Sequence, residues 1–310
     1  MTVADNSQSS FSYVVETTAG TTPSTPTLIT LPRKGGTGFT QTFEELPDGS
    51  IYADQQERAS SQGNNDVTGT IEVEFRKGDY DTLLEGALRS TWATNVLKIG
   101  STQKSFTFQD SQADVGQYFV TRGGVISSLA MSIDVGASNP VTATFGMTAL
   151  THTLVQTDIA TSTTAPSINQ PMTPFSSAIQ IGNQGGALAD ICVTSLDFSL
   201  TRSNEIERCI GSRSGASVIS ATNMIEGSFT IYLRNETTYN RFVNETKTAI
   251  EVPIDDPTAA NPYVFLFPNA KIISAETIAA DGSGGRIVTC GFKAFYDPTE
   301  ESAMVITRTA

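Results

Sequence analysis

The sequence predicts a mainly β protein in which one structural unit occurs twice. Three observations lead there. Apolar and polar residues alternate in short runs along the chain: Ile71, Val73 and Phe75 alternate with Glu72, Glu74 and Arg76, the period of two expected for a half-buried strand. Two stretches rich in Thr, Ser and Pro, at 1–38 and 151–174, set apart two regions of this kind. Those regions also match each other, in order.

Taken in order, residues 1–38 read as an N-terminal arm, because each Pro in Thr21-Thr22-Pro23-Ser24-Thr25-Pro26 biases its predecessor away from the helix. From Phe39 to Leu150 the β signal dominates. A helix over Asp79–Arg89 interrupts it, with Leu83, Leu84, Ala87 and Leu88 on one face and Asp79 as the N-cap. Strands are expected at Ser105–Phe108, Gln117–Thr121, Ile126–Val135 and Val141–Leu150, with a loop over 47–66. Residues 151–174 read as a linker. From 175 to 310 the β pattern returns. Leu196, Phe198 and Leu200 alternate with polar residues, as do Phe229, Ile231 and Leu233. A short helix over Thr237–Asn244 precedes strands at Tyr263–Phe267, Ile272–Ala280 and Arg286–Tyr296, the last two joined by a hairpin turn at Gly282–Gly285.

The two regions align. Gly69–Arg76 matches Gly227–Arg234 with coincident apolar positions, and Tyr80, Leu83 and Leu84 then meet Tyr239, Phe242 and Val243. Phe39 and Phe43 meet Leu196 and Leu200, and Val125–Phe145 falls on Ile272–Phe292 without a gap. Strand, strand, helix and hairpin thus recur in the same order.

Composition narrows the function. The chain carries 32 Asp and Glu against 19 Lys and Arg, a net charge of -13 in 310 residues. Sequence-blind nucleic-acid binding needs the opposite balance, since it neutralises phosphates. No apolar run reaches the length of a membrane span, and the first residues lack the basic and apolar regions of a secretory signal. Cys192, Cys209 and Cys290 are odd in number and widely spaced, which suits buried thiols better than disulfides or zinc. The single histidine, His152, sits in a Thr-rich stretch and reads as a solvated loop residue. The adjacent carboxylates Glu44-Glu45, Asp255-Asp256 and Glu300-Glu301 read as solvated surface. Trp92 reads as a local core anchor. No catalytic, cofactor-binding or metal-binding motif stands out, so neither an enzyme nor a cofactor is expected.

The opening Phe11-Ser-Tyr-Val-Val-Glu-Thr-Thr-Ala-Gly-Thr-Thr-Pro23 resembles the start of the major tail tube proteins of long-tailed, siphovirus-like bacteriophages. Val67–Phe75, Tyr80–Leu84 and Gly123–Leu129 are similar to that family as well. The resemblance implies a β-sandwich tube domain with a flanking short helix, here duplicated in tandem as residues 39–150 and 175–310. Such domains join edge to edge into a ring with an inner β-barrel, and rings stack into a hollow tube. Most relatives close six one-domain chains. Two domains per chain imply a trimeric, pseudo-hexameric ring.

The resemblance further implies a virion tail protein assembled in the host bacterial cytoplasm. Its partners would be further copies of itself, the tape measure protein, and the tail tip and tail terminator proteins. Double-stranded DNA would pass through the lumen without specific binding, and no membrane is involved. With Ile71, Val73 and Phe75 in the core, Glu72 and Glu74 project either into that lumen or onto ordinary outer surface. Thr21, Thr22 and Pro23 in the arm, and Asp54 and Gln55 in the 47–66 loop, are the candidates for ring-to-ring contact. A β-rich adhesin or carbohydrate-binding module, or a capsid decoration protein, is the alternative. An adhesin would call for exposed aromatic platforms or calcium-binding loops.

Overall fold

The computed structural model describes residues 3–136, 139–175, 178–257, 262–277 and 285–309. In the first half lie β1 (Ser10–Val15), β2 (Thr27–Thr30), β3 (Gly38–Pro47), β4 (Ser60–Glu74), α1 (Asp81–Leu88), β5 (Val96–Lys98), β6 (Phe106–Gln112), β7 (Gln117–Asp134), β8 (Thr142–Ala149), β9 (Thr151–Val155) and β10 (Ser162–Thr164). In the second lie β11 (Ile179–Asn183), β12 (Leu188–Ile191), β13 (Val193–Glu207), β14 (Ser217–Tyr232), α2 (Thr237–Val243), β15 (Thr248–Ile254), β16 (Tyr263–Glu276), β17 (Ile287–Ala294) and β18 (Val305–Arg308). The protein is mainly β with two short helices.

Eight antiparallel strands form a sheet that runs through both halves, in the order β3–β4–β8–β7–β13–β14–β17–β16. The halves meet inside it, where β7 pairs with β13 from Ser128↔Thr201 to Asp134↔Ser195. A second layer covers each half. Over the first it runs β10–β2–β1–β6–β7–β9, and over the second β12–β11–β15–β16–β18–β5. β7 and β16 are long enough to belong to both layers. β7 turns between them at Gly123, whose φ of +67° and contact with Leu150 leave no room for a side chain. Gln117–Thr121 and Ile126–Val135, expected as two strands, form one continuous strand that ends at Asp134.

The core lies between the layers. Phe11 of β1 stacks on Phe39 of β3 with centroids 6.3 Å apart, and Phe198 of β13 meets Phe267 of β16 at 5.1 Å. Ile71, Val73 and Phe75 are buried on one side of β4, as their alternation requires. Each full burial of this kind contributes about 1.5–3 kcal/mol.

The strand order recurs. β1, β2, β3, β4, β6, β7, β8 and β9 pair among themselves as β11, β12, β13, β14, β15, β16, β17 and β18 do. The bulges recur too, between Phe43 and Glu45 in β3 and between Arg202 and Asn204 in β13. The register of the repeat differs from the sequence alignment. Gly69 and Gly227 coincide, since each lies under a neighbouring-strand carbonyl, that of Gly38 or Asp197. Phe39 therefore corresponds to Phe198 and not to Leu196. A bulge precedes both Ser128↔Gly146 and Ser274↔Gly291, so Gly146 corresponds to Gly291 and Met147, not Phe145, to Phe292. Alternating patterns slide by two residues without losing a match, and backbone pairing removes that freedom.

Several local expectations are corrected. Residues 1–38 are not a free arm: β1 and β2 lie in the outer layer, with Phe11, Tyr13 and Leu28 buried. Their apolar alternation outweighs the Thr and Pro content around them. The stretch 151–174 contributes β9 and β10 rather than acting only as a linker. The 47–66 loop shortens to residues 48–59, because Ser60–Asn65 continue the β3–β4 hairpin. Tyr80, not Asp79, is the N-cap of α1. The Asp79 carboxylate instead accepts from the backbone N–H of Ser167 at 2.8 Å and from its hydroxyl at 3.0 Å. Ile272–Ala280 is described as strand only to Glu276, as the C-terminal part of β16. The Gly282–Gly285 turn lies outside the described residues but for Gly285.

Candidate assembly surfaces

The side of the eight-stranded sheet facing away from the core is open. Alternation places one polar set there on every strand: Thr70, Glu72 and Glu74 on β4, Thr142 and Thr144 on β8, Ser128 and Ser132 on β7. The second half continues it with Asp197 and Ser199 on β13, Ser228 and Thr230 on β14, and Thr289 on β17. Glu72 sits opposite Thr144, and Glu74 opposite Thr142. This face is paved with small hydroxyls, and its charges are mostly acidic. Glu72 holds Lys34 at 3.2 Å, Glu74 lies 3.9 Å from Arg76, and Glu226 holds Lys293 at 2.9 Å. Asp134, Asp197 and Glu276 add exposed carboxylates. Thr230 and Tyr232 occupy the places of Glu72 and Glu74 in the second half.

The sheet ends in two free edges. Among the described residues β3 pairs only with β4, and β16 beyond Ala270 pairs only with β17. Exposed strand edges are templates for another chain.

Two long hairpins, β3–β4 and β13–β14, extend the sheet at one end. The tip of β13–β14 touches the side of β4: Arg208 holds Asp66 at 2.7 Å, and the Asn65 backbone N–H donates to the Arg213 carbonyl. Both carry exposed apolar residues, Leu46 and Ile51 on one and Ile210 and Ile219 on the other. Asp54 and Gln55 lie at the first tip. Asp54 pairs with Arg58 at 2.6 Å, and Gln55 has a left-handed backbone with φ of 56°. Thr21, Thr22 and Pro23 lie elsewhere, beside the outer layer. The Thr22 hydroxyl contacts that of Thr107 at 3.1 Å and accepts from Arg122 at 3.0 Å. The structure does not bring the two candidate groups together. The tip residues Leu46, Ile51, Ile210 and Ile219 escaped sequence reading because isolated apolar residues near a turn carry no periodic signal.

His152 lies on β9 rather than in a loop. It stacks on Phe119 with 5.5 Å between centroids and shares a 2.8 Å hydrogen bond with Thr121. Partial burial lowers its pKa, against the opposing pull of Asp110. Cys290 is buried, and burial raises its thiol to about 11. Cys192 and Cys209 are exposed, contrary to the expectation of buried thiols, because they flank β13 rather than occupy its inward positions. Trp92 does more than anchor its own half. Its indole donates to the Asp81 carbonyl at 3.3 Å, lies under Arg308 at 4.2 Å and meets Tyr263 edge-on at 6.3 Å. No group of three or more His, Cys, Asp or Glu arranged to hold a metal occurs among the described residues, and no helix there is long and apolar enough to cross a membrane.

Among curated proteins, sequence comparison finds no match. A family model described as phage tail tube protein matches residues 6–294, nearly the whole chain. That family is one of structural virion components rather than enzymes. By the extent of the match the chain belongs to the phage tail tube protein family.

Proposed function

We propose that this chain is the major tail tube subunit of a long-tailed phage and that three copies form a pseudo-hexameric ring. The carrying observation is the β7–β13 junction, in which two copies of one unit already share a sheet edge to edge. Each chain supplies two tube domains, approximately 39–150 with β1 and β2, and 175–310. Three chains supply six. Closure satisfies the edges that one chain leaves open. Four strands per domain give a barrel of about 24 strands, roughly 40–50 Å across at the backbone from strand spacing and ordinary tilt. A DNA duplex fits inside.

The open face becomes the lumen in this arrangement. Glu72, Glu74, Asp197 and Glu276 would line it, repelling phosphates, while hydroxyls keep it wet and smooth. DNA would then slide during ejection without being held. Stacking of rings head to tail through the hairpin tips, with Asp54 and Gln55 among the contacts, builds a tube rather than a closed oligomer. Thr21, Thr22 and Pro23 serve this contact only if the outer layer also meets the next ring. Tape measure, tail tip and terminator proteins would bind the lumen and the two ends of that tube in the virion tail, assembled in the host cytoplasm.

Negative-stain electron microscopy of the purified protein over a concentration series tests the reading. The expected result is rings or hollow tubes with threefold symmetry and six lobes. Sixfold rings would retain the tube and reject the trimer. Isolated particles at every concentration, even seeded with tail-tip complexes, would reject both.

A further inference from the structure

We infer that a second copy of this chain docks β3 onto the free end of β16 in the register of the internal β7–β13 junction, and that this same contact covers the exposed face of α2. The inference rests on the ring reading and adds which residues meet.

The repeat fixes the register. β16 corresponds to β7 and β3 to β13, with Ser274 at the place of Ser128 and Phe39 at the place of Phe198. Inside the chain Ser128 faces Thr201, Leu129 faces Leu200 and Ala130 faces Ser199. Between chains Ser274 then faces Thr42, Ala275 faces Gln41 and Glu276 faces Thr40. Among the described residues both strands are unpaired on the sides this requires.

The helices give an independent sign. α1 packs on β7 of its own half and is also reached by the second half of the chain. Tyr263 donates to the Asp81 carboxylate at 2.6 Å, Arg308 pairs with the same group, and Arg202 reaches the Ala87 carbonyl. Leu83, Leu84, Ala87 and Leu88 are fully buried. α2 holds the corresponding place in the second half and has no buried residue. Tyr239 is 42 % exposed and Val243 56 %. A following copy would bring its β3 there. The position of Arg202 is taken on β3 by Phe43, since both directly precede the matching bulge. Phe43 is 42 % exposed. An unburied ring thus meets an unburied apolar helix face, where the internal junction uses an arginine and a carbonyl.

Paired cysteines test the register. In a Cys192→Ser, Cys209→Ser background, the full-length protein carrying Thr40→Cys and Glu276→Cys is oxidised and run on a non-reducing gel. Directly opposed residues sit within disulfide reach. The expected products are a covalent dimer and a closed trimer. Gln41→Cys with Glu276→Cys should not link, because successive side chains point to opposite faces. Linkage through Gln41 instead, or threefold rings with no linkage, would overturn the register and leave the ring standing. The absence of both rings and linkage would overturn the two together. In a second measurement Phe43→Asp and Val243→Asp should each abolish rings while leaving the melting temperature of the monomer within about a degree. Rings that persist in both variants would overturn the α2 contact.

Discussion

Burial sorts the reactive side chains of this protein. Cys290 lies at the centre of β17 with its thiol raised to about 11, so it stays protonated at neutral pH. Cys192 and Cys209 are open to solvent. Iodoacetamide on the native chain should therefore add two labels by mass spectrometry, and a third only after denaturation. His152 behaves as a half-buried group that favours its neutral form. Its folded pKa lies below the ordinary histidine value, so the unfolded chain binds the proton more readily. Its contribution is complete above the unfolded value near 6.5 and is lost as pH falls through that range. Denaturant midpoints should drop between pH 7 and 5.5, and the drop should shrink in His152→Ala. That variant should still assemble, because Phe119 and Thr121 bind the ring within one chain. At the join of the halves, the Tyr263 hydroxyl donates to Asp81 and accepts the Gly78 backbone N–H at 3.1 Å. Tyr263→Phe removes both hydrogen bonds, but Gly78 is exposed and Asp81 keeps Arg308, so it should cost about 0.5–1.5 kcal/mol in urea melts.

The two helices share a place in the repeat but not an energetic role. Leu84 of α1 is fully buried, so Leu84→Ala should destabilise the monomer by about 2–5 kcal/mol. Val243 of α2 is exposed, and Val243→Ala should change monomer stability by less than about 0.5 kcal/mol. Equal losses in differential scanning calorimetry would contradict this difference. The strands repeat more closely. Gly227 packs so near the Asp197 carbonyl that an added Cβ would lie 2.6 Å from it, and at Gly69 the Gly38 carbonyl would lie 2.7 Å away. These glycines permit close strand contact in both halves. The alternation on β4 marked Ile71, Val73 and Phe75 as core from sequence alone, and the α1 apolar face was readable for the same reason. β1 was not, because one six-residue alternation amid Thr, Ser and Pro carries little signal until β2 and β6 pair with it.

Across the whole molecule, net charge and open edges point the same way. The chain carries -13, and the open sheet face concentrates carboxylates among hydroxyls. Replacing Glu72 and Glu74 together by Lys should leave the fold and ring intact, since both side chains are part-exposed and their pairs with Lys34 and Arg76 are surface pairs that contribute little. It should also give the assembled tubes a salt-sensitive affinity for DNA that the native tubes lack. An electrophoretic shift across 50–200 mM salt reads this. Equal, negligible binding in both proteins would move these residues off the lumen.

The sequence by itself determined the β class, a strand pattern that recurs, the core side of its clearest strands and the family likeness. These depend on local period and on order along the chain, which residue type alone records. The tertiary structure decided the register of the repeat, the strand formed by the supposed arm, the burial of α1 beside the exposure of α2, and the shared sheet through β7 and β13. Each depends on hydrogen bonds and packing between residues far apart in sequence, where sliding a β pattern by two leaves its apolar face unchanged and only backbone pairing selects one alignment.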